Sequence, residues 1–434
     1  MQLKATAHSE AGRAALSVYT NVLREVRGDV LVHRALQRVG DQLFVHGRLI
    51  DLALYRRVMV CGVGKASVAM ARAVIAVLGG AVDGGLVVTK HEHGGDAGGL
   101  RVIEAGHPVP DEHSLRAGEE LLRIAQSSRD HDLVIFVLSG GASALTEAPV
   151  AGVSLDDIQA ANRFLLASGL DIGEVNEVRS RLSRIKAGGL AEAFSRATVV
   201  CLVLSDVIGN RLEVIGSGPF VSPKPGSKAV ARFAHSSALP DSVRAALSRP
   251  TDLSLSPPNP VEHFIVGSAS LAVHAALEQA KRLGLEAHGY ADPLSGEARE
   301  MARKIMKLGE RRSALAEGPF CLVLGGETTV MLAKGAGKGG RCQEMAVAAS
   351  NAIAKMPGSA FLAAGTDGTD GPTDAAGGII EPDSAARADM AGWPASRALR
   401  THDSYEFLSA CNGLIFTGPT DSNVNDIALY VSAM

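Results

Sequence analysis

Short apolar runs alternate along this chain with longer amphipathic stretches. Residues 57–64, RVMVCGVG, have the length and density of a buried strand, and 66–78, ASVAMARAVIAVL, follow with helical spacing. GGLVVT (84–89) and RVIEAG (101–106) read as further strands. The stretch 111–128, DEHSLRAGEELLRIAQSS, predicts a helix capped by Asp111 or Ser114. DLVIFVLSGGASAL (132–145) is apolar almost throughout until its glycines, the signature of a strand buried on both faces of a parallel sheet. ATVVCLVLSDVIGN (197–210) repeats that form. Beyond a proline-rich stretch, HFIVGS (263–268), LEAHGY (285–290), PFCLVLGGETTV (319–330), SAFLAAGTDG (359–368) and NGLIFTGPT (412–420) predict more strands. Helices are expected from about Ser270 and over 341–356. The class is α/β.

Residues 219–260 break this rhythm with prolines, and one helix is expected in the middle. Taken with a length of 434 residues, more than one ordinary core accommodates, this places a boundary near residue 240: one α/β domain over 1–240 and a second over 241–434. Hydrophobic residues make up 46% of the chain, enough to bury two sheets. A net charge of −3 gives no field that would gather nucleic acid or anionic lipid, and an aromatic content of 4% leaves little for base stacking. No apolar run is long enough for a membrane helix, and the first residues lack the apolar segment of a secretory leader. The five cysteines form no C-x-x-C pair. Cys61, Cys201 and Cys321 fall in strand-like runs and read as small buried hydrophobes, which fits a reduced cytoplasmic protein.

Chemistry is expected where strands end. CGVGKAS (61–67) joins a strand to a helix, and a glycine turn there can present backbone N–H groups to an anion. It is not a Walker A loop, because Ala66 follows Lys65 and Met59 stands at the first glycine position. It is an incomplete dinucleotide fingerprint: Gly62 and Gly64 match, Ser67 takes the third place, and the next strand ends in Thr89-Lys90 instead of an acid. Lys65 beside this turn suits a phosphate or carboxylate. Ser139, Gly140 and Gly141 could cradle phosphate, Asp206 could hold a metal, and Glu327 could be a ligand or a solvated charge. The sixteen residues 363–378, AAGTDGTDGPTDAAGG, carry Asp367, Asp370 and Asp374. Asp367, nearest the strand, is expected to face the site, while at least one of the others braces the turn. Lys334, Lys338 and Arg341 approach a helix through glycines, which reads as a lid or a close backbone contact. Arg341 at that helix start calls for a fixed anion. His91 and His93 lack further ligands at zinc spacing, and His107 reads as an orienting or structural residue.

Taken together, GVGKAS, GHPVPD, LSGGASAL, NEVRSRLSRIKAGGLA, LSDVIGN, GSGP, LVLGGETTV, GGRCQEMAV, GTDGTDGPTDAAGG and TGPTDSNVND resemble, in order, the type II glycerate 2-kinase family, whose C-terminal half is the MOFRL domain. The resemblance runs from about residue 10 to the end. It departs at Ala142, Asn210, Phe220 and Cys342, where the family commonly has Gly, Asp, Thr and Asn. It implies a Rossmann-like N-terminal and a MOFRL-type C-terminal α/β domain, with the active site in the cleft between them. It also implies ATP- and Mg²⁺-dependent phosphorylation of D-glycerate to 2-phosphoglycerate, and Lys65 and Arg341 match family active-site positions. The residues supply what phosphoryl transfer needs. Lys65 with the loops of Gly62, Gly64, Ser139, Gly140 and Gly141 would hold phosphate or carboxylate. Asp206, Glu327 and Asp367 would offer oxygens to Mg²⁺, one of these or Asp370 would accept the hydroxyl proton, and Arg341 would grip an anion with its fork. The alternatives are an NAD(P)H-dependent hydroxypyruvate reductase, a label some family members carry, and a non-catalytic nucleotide- or sugar-acid-binding protein. Small molecules are the expected partners, with no nucleic acid and no membrane.

Overall fold

The computed structural model describes residues 3–170, 172–221, 228–249, 261–332 and 335–433. Lys334 and most of the proline-rich stretches at 222–227 and 250–260 lie outside them. The chain forms two compact units, Gly28–Val266 and a discontinuous one made of Met1–Arg27 with Gly267–Met434. The boundary therefore differs from the one expected at residue 240, and the first 27 residues go with the second half of the sequence. The physical reason is the helix Glu10–Glu25. Its Tyr19 hydroxyl donates 2.6 Å to the Gly365 carbonyl, and its Asn21 Nδ2 donates 3.2 Å to the Ala275 carbonyl.

The Gly28–Val266 unit opens with a three-stranded antiparallel meander, β1 (Leu36–Val39), β2 (Gln42–Val45) and β3 (Arg48–Asp51). Its main sheet contains β4 (Arg57–Val63), β5 (Gly84–Lys90), β6 (Arg101–Ala105), β7 (Asp132–Leu138), β8 (Thr198–Leu204) and β9 (Val261–Gly267), in the order β6-β5-β4-β7-β8-β9. β6, β5, β4, β7 and β8 are mutually parallel. β7 is buried at every residue, as its unbroken apolar run requires. This is the doubly wound, Rossmann-like order, and its strand order reverses between β4 and β7. Ligands of such sheets bind outside the strand C-termini at that reversal. The helix Glu112–Gln126 starts at Asp111 in a capping box with Ser114, so both expected capping residues act together. Four helices, Leu155–Ala167, Ile172–Ser180, Lys228–Ala234 and Asp241–Leu247, close a separate apolar cluster around Leu165, Val178 and Val243. Two of them occupy the stretch in which one helix was expected.

The other unit holds β10 (Glu286–Gly289), β11 (Phe320–Gly326), β12 (Ser359–Gly365), β13 (Gly377–Ile380), β14 (Leu414–Ile415) and β15 (Asp426–Ser432), ordered β10-β11-β15-β12-β13-β14. β15 runs antiparallel between β11 and β12, so its first residue, Asp426, sits opposite both Gly326 and Gly365. The C-terminal ends of β11 and β12 and the start of β15 thus form one edge. All five cysteines are buried and free. Among the described residues no helix is long and apolar enough to cross a membrane.

Gly64 fixes the β4–β7 approach. Its φ is +136°, and a Cβ there would lie 2.5 Å from the Ser139 carbonyl oxygen. Gly64→Ala should destabilise the protein by at least about 2 kcal/mol in urea unfolding, from overpacking and backbone strain together. Gly40→Ala, also at positive φ but with open space around it, should cost about 1 kcal/mol or less.

Candidate functional site

In the Gly28–Val266 unit the turn after β4 lies against the turn after β7. Gly64 N–H donates to the Val88 carbonyl (3.0 Å), Lys65 N–H to the Gly140 carbonyl (3.0 Å), Ala66 N–H to Ser139 Oγ (3.1 Å) and Ser67 N–H to the Gly64 carbonyl (3.1 Å). The turn after β4 is therefore not the expected anion cradle: the N–H groups of Gly64, Lys65 and Ala66 tie it to β5 and to the turn after β7, and that of Ser67 closes the turn itself. Gly62 serves the same packing, since a Cβ there would stand 2.3 Å from Val137 Cγ2. Ser139 acts through its hydroxyl as a brace for the turn. Gly141, at φ +90°, precedes the short helix Ala142–Leu145, and a Cβ on it would meet His107 Cδ2 at 3.1 Å and Lys65 Cγ at 3.4 Å. Lys65, His107 and Gly141 thus share one corner at the strand-order reversal. Asp206 follows β8 in this same unit, half-buried.

In the other unit the strand edge gathers charge around Arg341, the first residue of the helix Arg341–Ile353. Arg341 Nε and Nη2 grip Asp426 Oδ2 and Oδ1 at 2.6 and 2.9 Å, and Nη1 meets Glu327 Oε1 at 2.6 Å. Burial alone would weaken the guanidinium, but Asp426 and Glu327 overcome it and hold Arg341 above its ordinary pKa. The fixed anion expected beside Arg341 is thus the protein's own Asp426. Sequence reasoning passed over that residue although it lies in the TGPTDSNVND motif. Asn425 Nδ2 donates 3.1 Å to Glu327 Oε2 and steadies the same acid.

The aspartate loop supplies the brace expected of Asp370 or Asp374. Asp370 is buried and accepts from the N–H groups of Cys342 (3.1 Å) and Gln343 (2.8 Å), capping the Arg341–Ile353 helix from another loop. Asp370 is therefore a brace. Asp367 stays half-buried at the strand end. Its Oδ1 accepts from Thr369 N (3.1 Å) and Thr369 Oγ1 (3.3 Å), so it too shapes the turn. A Cβ on Gly365 would lie 3.3 Å from Asp367 Oδ1 and 3.5 Å from Asp426 Oδ1, which puts both carboxylates over the end of β12. Asp374 is largely exposed, 4.0 Å from Lys338, whose ammonium rests over the Tyr405 ring. The glycines before Arg341 mark a close backbone contact: a Cβ on Gly340 would collide with the Asp370 carboxyl at 2.3 Å.

Oxygen donors of this kind suit Mg²⁺, and Glu327 and Asp367 have them at the open edge. Among the described residues no group of three or more His, Cys, Asp or Glu side chains is arranged to hold a metal by itself.

Comparison with known proteins bears on both halves. The family described as a domain of unknown function, DUF4147, matches residues 14–248, and the MOFRL family matches residues 320–426. The chain is 40% identical to a D-glycerate 2-kinase of Thermotoga maritima over 92% of this chain and 96% of that one. It is 41% identical to an Agrobacterium vitis protein that bears the provisional name hydroxypyruvate reductase, over 86% of each. A crystal structure of glycerate kinase from Thermotoga maritima superposes with a TM-score of 0.82 at 36% identity, covering 97% of this chain and 99% of that chain.

Burial and then the Asp426 charge push Asp370 up to about 7, against the pull of its two helix N–H donors. Because its folded pKa exceeds the unfolded value, the native state holds a proton that the unfolded state has released between about pH 4 and 7. Wild-type stability relative to Asp370→Asn should therefore fall as pH rises from 5 to 8. Urea unfolding at several pH values checks this; a pH-independent difference would deny the shift.

Proposed function

The chain belongs to the type II glycerate 2-kinase (DUF4147–MOFRL) family, and on that premise we propose that it transfers the γ-phosphoryl group of ATP to the 2-hydroxyl of D-glycerate, giving 2-phosphoglycerate and ADP. The observation that carries this reading is the relationship to a D-glycerate 2-kinase along nearly the whole of both chains. Lys65, at the strand-order reversal of the parallel sheet, is assigned to the charge of the phosphoryl oxygens. Asp367 is assigned the proton of the 2-hydroxyl: as the O2–P bond forms and the bond to the β-phosphate oxygen breaks, that proton passes to the carboxylate. Glu327, beside Asp367 on the same strand edge, is the assigned oxygen donor to Mg²⁺, which when bound would neutralise phosphate charge. Arg341 is assigned to keeping Glu327 and Asp426 in place. The substrates are small molecules, and the cytoplasm, where ATP is plentiful and thiols stay reduced, suits five free cysteines.

Hydride transfer to hydroxypyruvate finds less support. The turn after β4 has spent the N–H groups of Gly64, Lys65, Ala66 and Ser67, and β5 ends without an acid for a ribose. A coupled ADP-release assay on D-glycerate, with the product identified by phosphorus NMR, should give Mg²⁺-dependent 2-phosphoglycerate. Exclusive 3-phosphoglycerate, or NADH oxidation with hydroxypyruvate in its place, would reject the reading. Asp367→Asn should lower kcat by roughly two orders of magnitude or more, the usual worth of a general base. If higher Mg²⁺ fails to restore the rate, the base assignment stands; recovery would make Asp367 a metal ligand instead.

A further inference from the structure

The motif NEVRSRLSRIKAGG is not used by the chemistry described above, yet it builds a distinct polar corner. Arg179, on the helix Ile172–Ser180, is half-buried, and its Nε donates 2.7 Å to Asn162 Oδ1. Among the described residues no carboxylate lies within 4.0 Å of its guanidinium. The acid that acts on it from further off is Glu147, which is fully buried and already ion-paired with the buried Lys186. A half-buried and a buried cation thus share one carboxylate and leave one positive charge in excess. Burial lowers the Arg179 pKa from its ordinary value and Glu147 only partly offsets this, as expected of a cation awaiting a partner.

The excess charge adjoins a row of hydroxyl and amide groups. Ser217 Oγ donates 3.2 Å to Asn176 Oδ1 and lies 2.8 Å from Ser143 Oγ. Asn176 stands one helical turn before Arg179, on the same face. Among the described residues no acceptor lies within hydrogen-bond distance of Asn176 Nδ2. A small, mostly apolar void of about 10 Å³ touches both Ser143 and Lys186. Ser143 stands two residues after Gly141, whose turn lies against Lys65.

We propose that Arg179, Asn176, Ser143 and Ser217 receive the carboxylate of the acceptor hydroxy acid. The inference rests on the kinase reading and names how that enzyme selects its substrate. A single excess charge matches a monoanion, and the guanidinium fork with flanking O–H and N–H donors matches a planar carboxylate. A triphosphate is a poorer match, because the neighbouring turn has no N–H to offer it from residues 64–67.

Steady-state kinetics and calorimetric binding of D-glycerate and of MgATP to the full chain test the proposal. Arg179→Ala should raise the KM and Kd for D-glycerate by about 10- to 100-fold, the worth of one charge-assisted pair, and leave those for ATP within about twofold. Arg179→Lys should recover part of the loss. Asn176→Asp keeps the shape but sets a negative charge against the carboxylate, so it should also weaken glycerate alone. This variant carries the test if Arg179→Ala does not fold. Unchanged glycerate binding in the variants, or a loss confined to ATP, overturns the inference while the kinase reading stands. A wild-type protein that neither binds nor phosphorylates D-glycerate fails the kinase reading itself, and is distinguished by failing before any substitution is made.

Discussion

The Arg341–Asp426 pair sets the chemistry of the second unit's strand edge. β15 enters antiparallel between two strands that both point outward, so its first carboxylate lands between their last residues. A buried aspartate at that point is costly without a partner. Arg341 supplies one, and its remaining reach orders Glu327 as well. Arg341 itself is held by the helix it begins, and that helix is capped by Asp370 from the loop after β12. Two strands, one helix and one loop are thereby locked through three carboxylates and a guanidinium, leaving Asp367 half-buried beside the fixed charges.

The other unit solves a different problem. Its parallel sheet brings the turns after β4 and β7 into backbone contact, and glycine is what permits that closeness. The glycine turns look, in sequence, like a phosphate cradle because cradles and close crossings use the same residue. What separates them is where the N–H groups point, and those of residues 64–67 point into the protein. Lys65 and His107 share the corner at the reversal with Gly141.

Much of the fold is legible in the chain. β4, β7, β8, β11 and β12 announce themselves because strands covered on both faces must be apolar throughout. The strand ends that hold Lys65, Ser139, Asp206, Glu327 and Asp367 follow directly. β15 went unread, since NDIALYVS follows a turn-rich stretch with no helix before it, and Asp426 went with it. The meander β1–β3 and the membership of the helix Glu10–Glu25 were equally hidden, because partners remote in sequence decide them. Proximity to the strand separates Asp367 from its two neighbours, but which of Asp370 and Asp374 is the brace depends on the helix Arg341–Ile353 arriving from elsewhere. Arg341 was found with the right need and the wrong anion.

If Arg341 organises this edge, its worth lies in Asp426. A double-mutant cycle on unfolding free energy, with Arg341→Met, Asp426→Asn and the two combined, measures that coupling. Each single change should cost roughly 3 kcal/mol, and the double no more than the worse single, because removing both partners strands no buried charge. Additive costs would show that the two residues act independently, and would return Arg341 to the role of an open anion receptor.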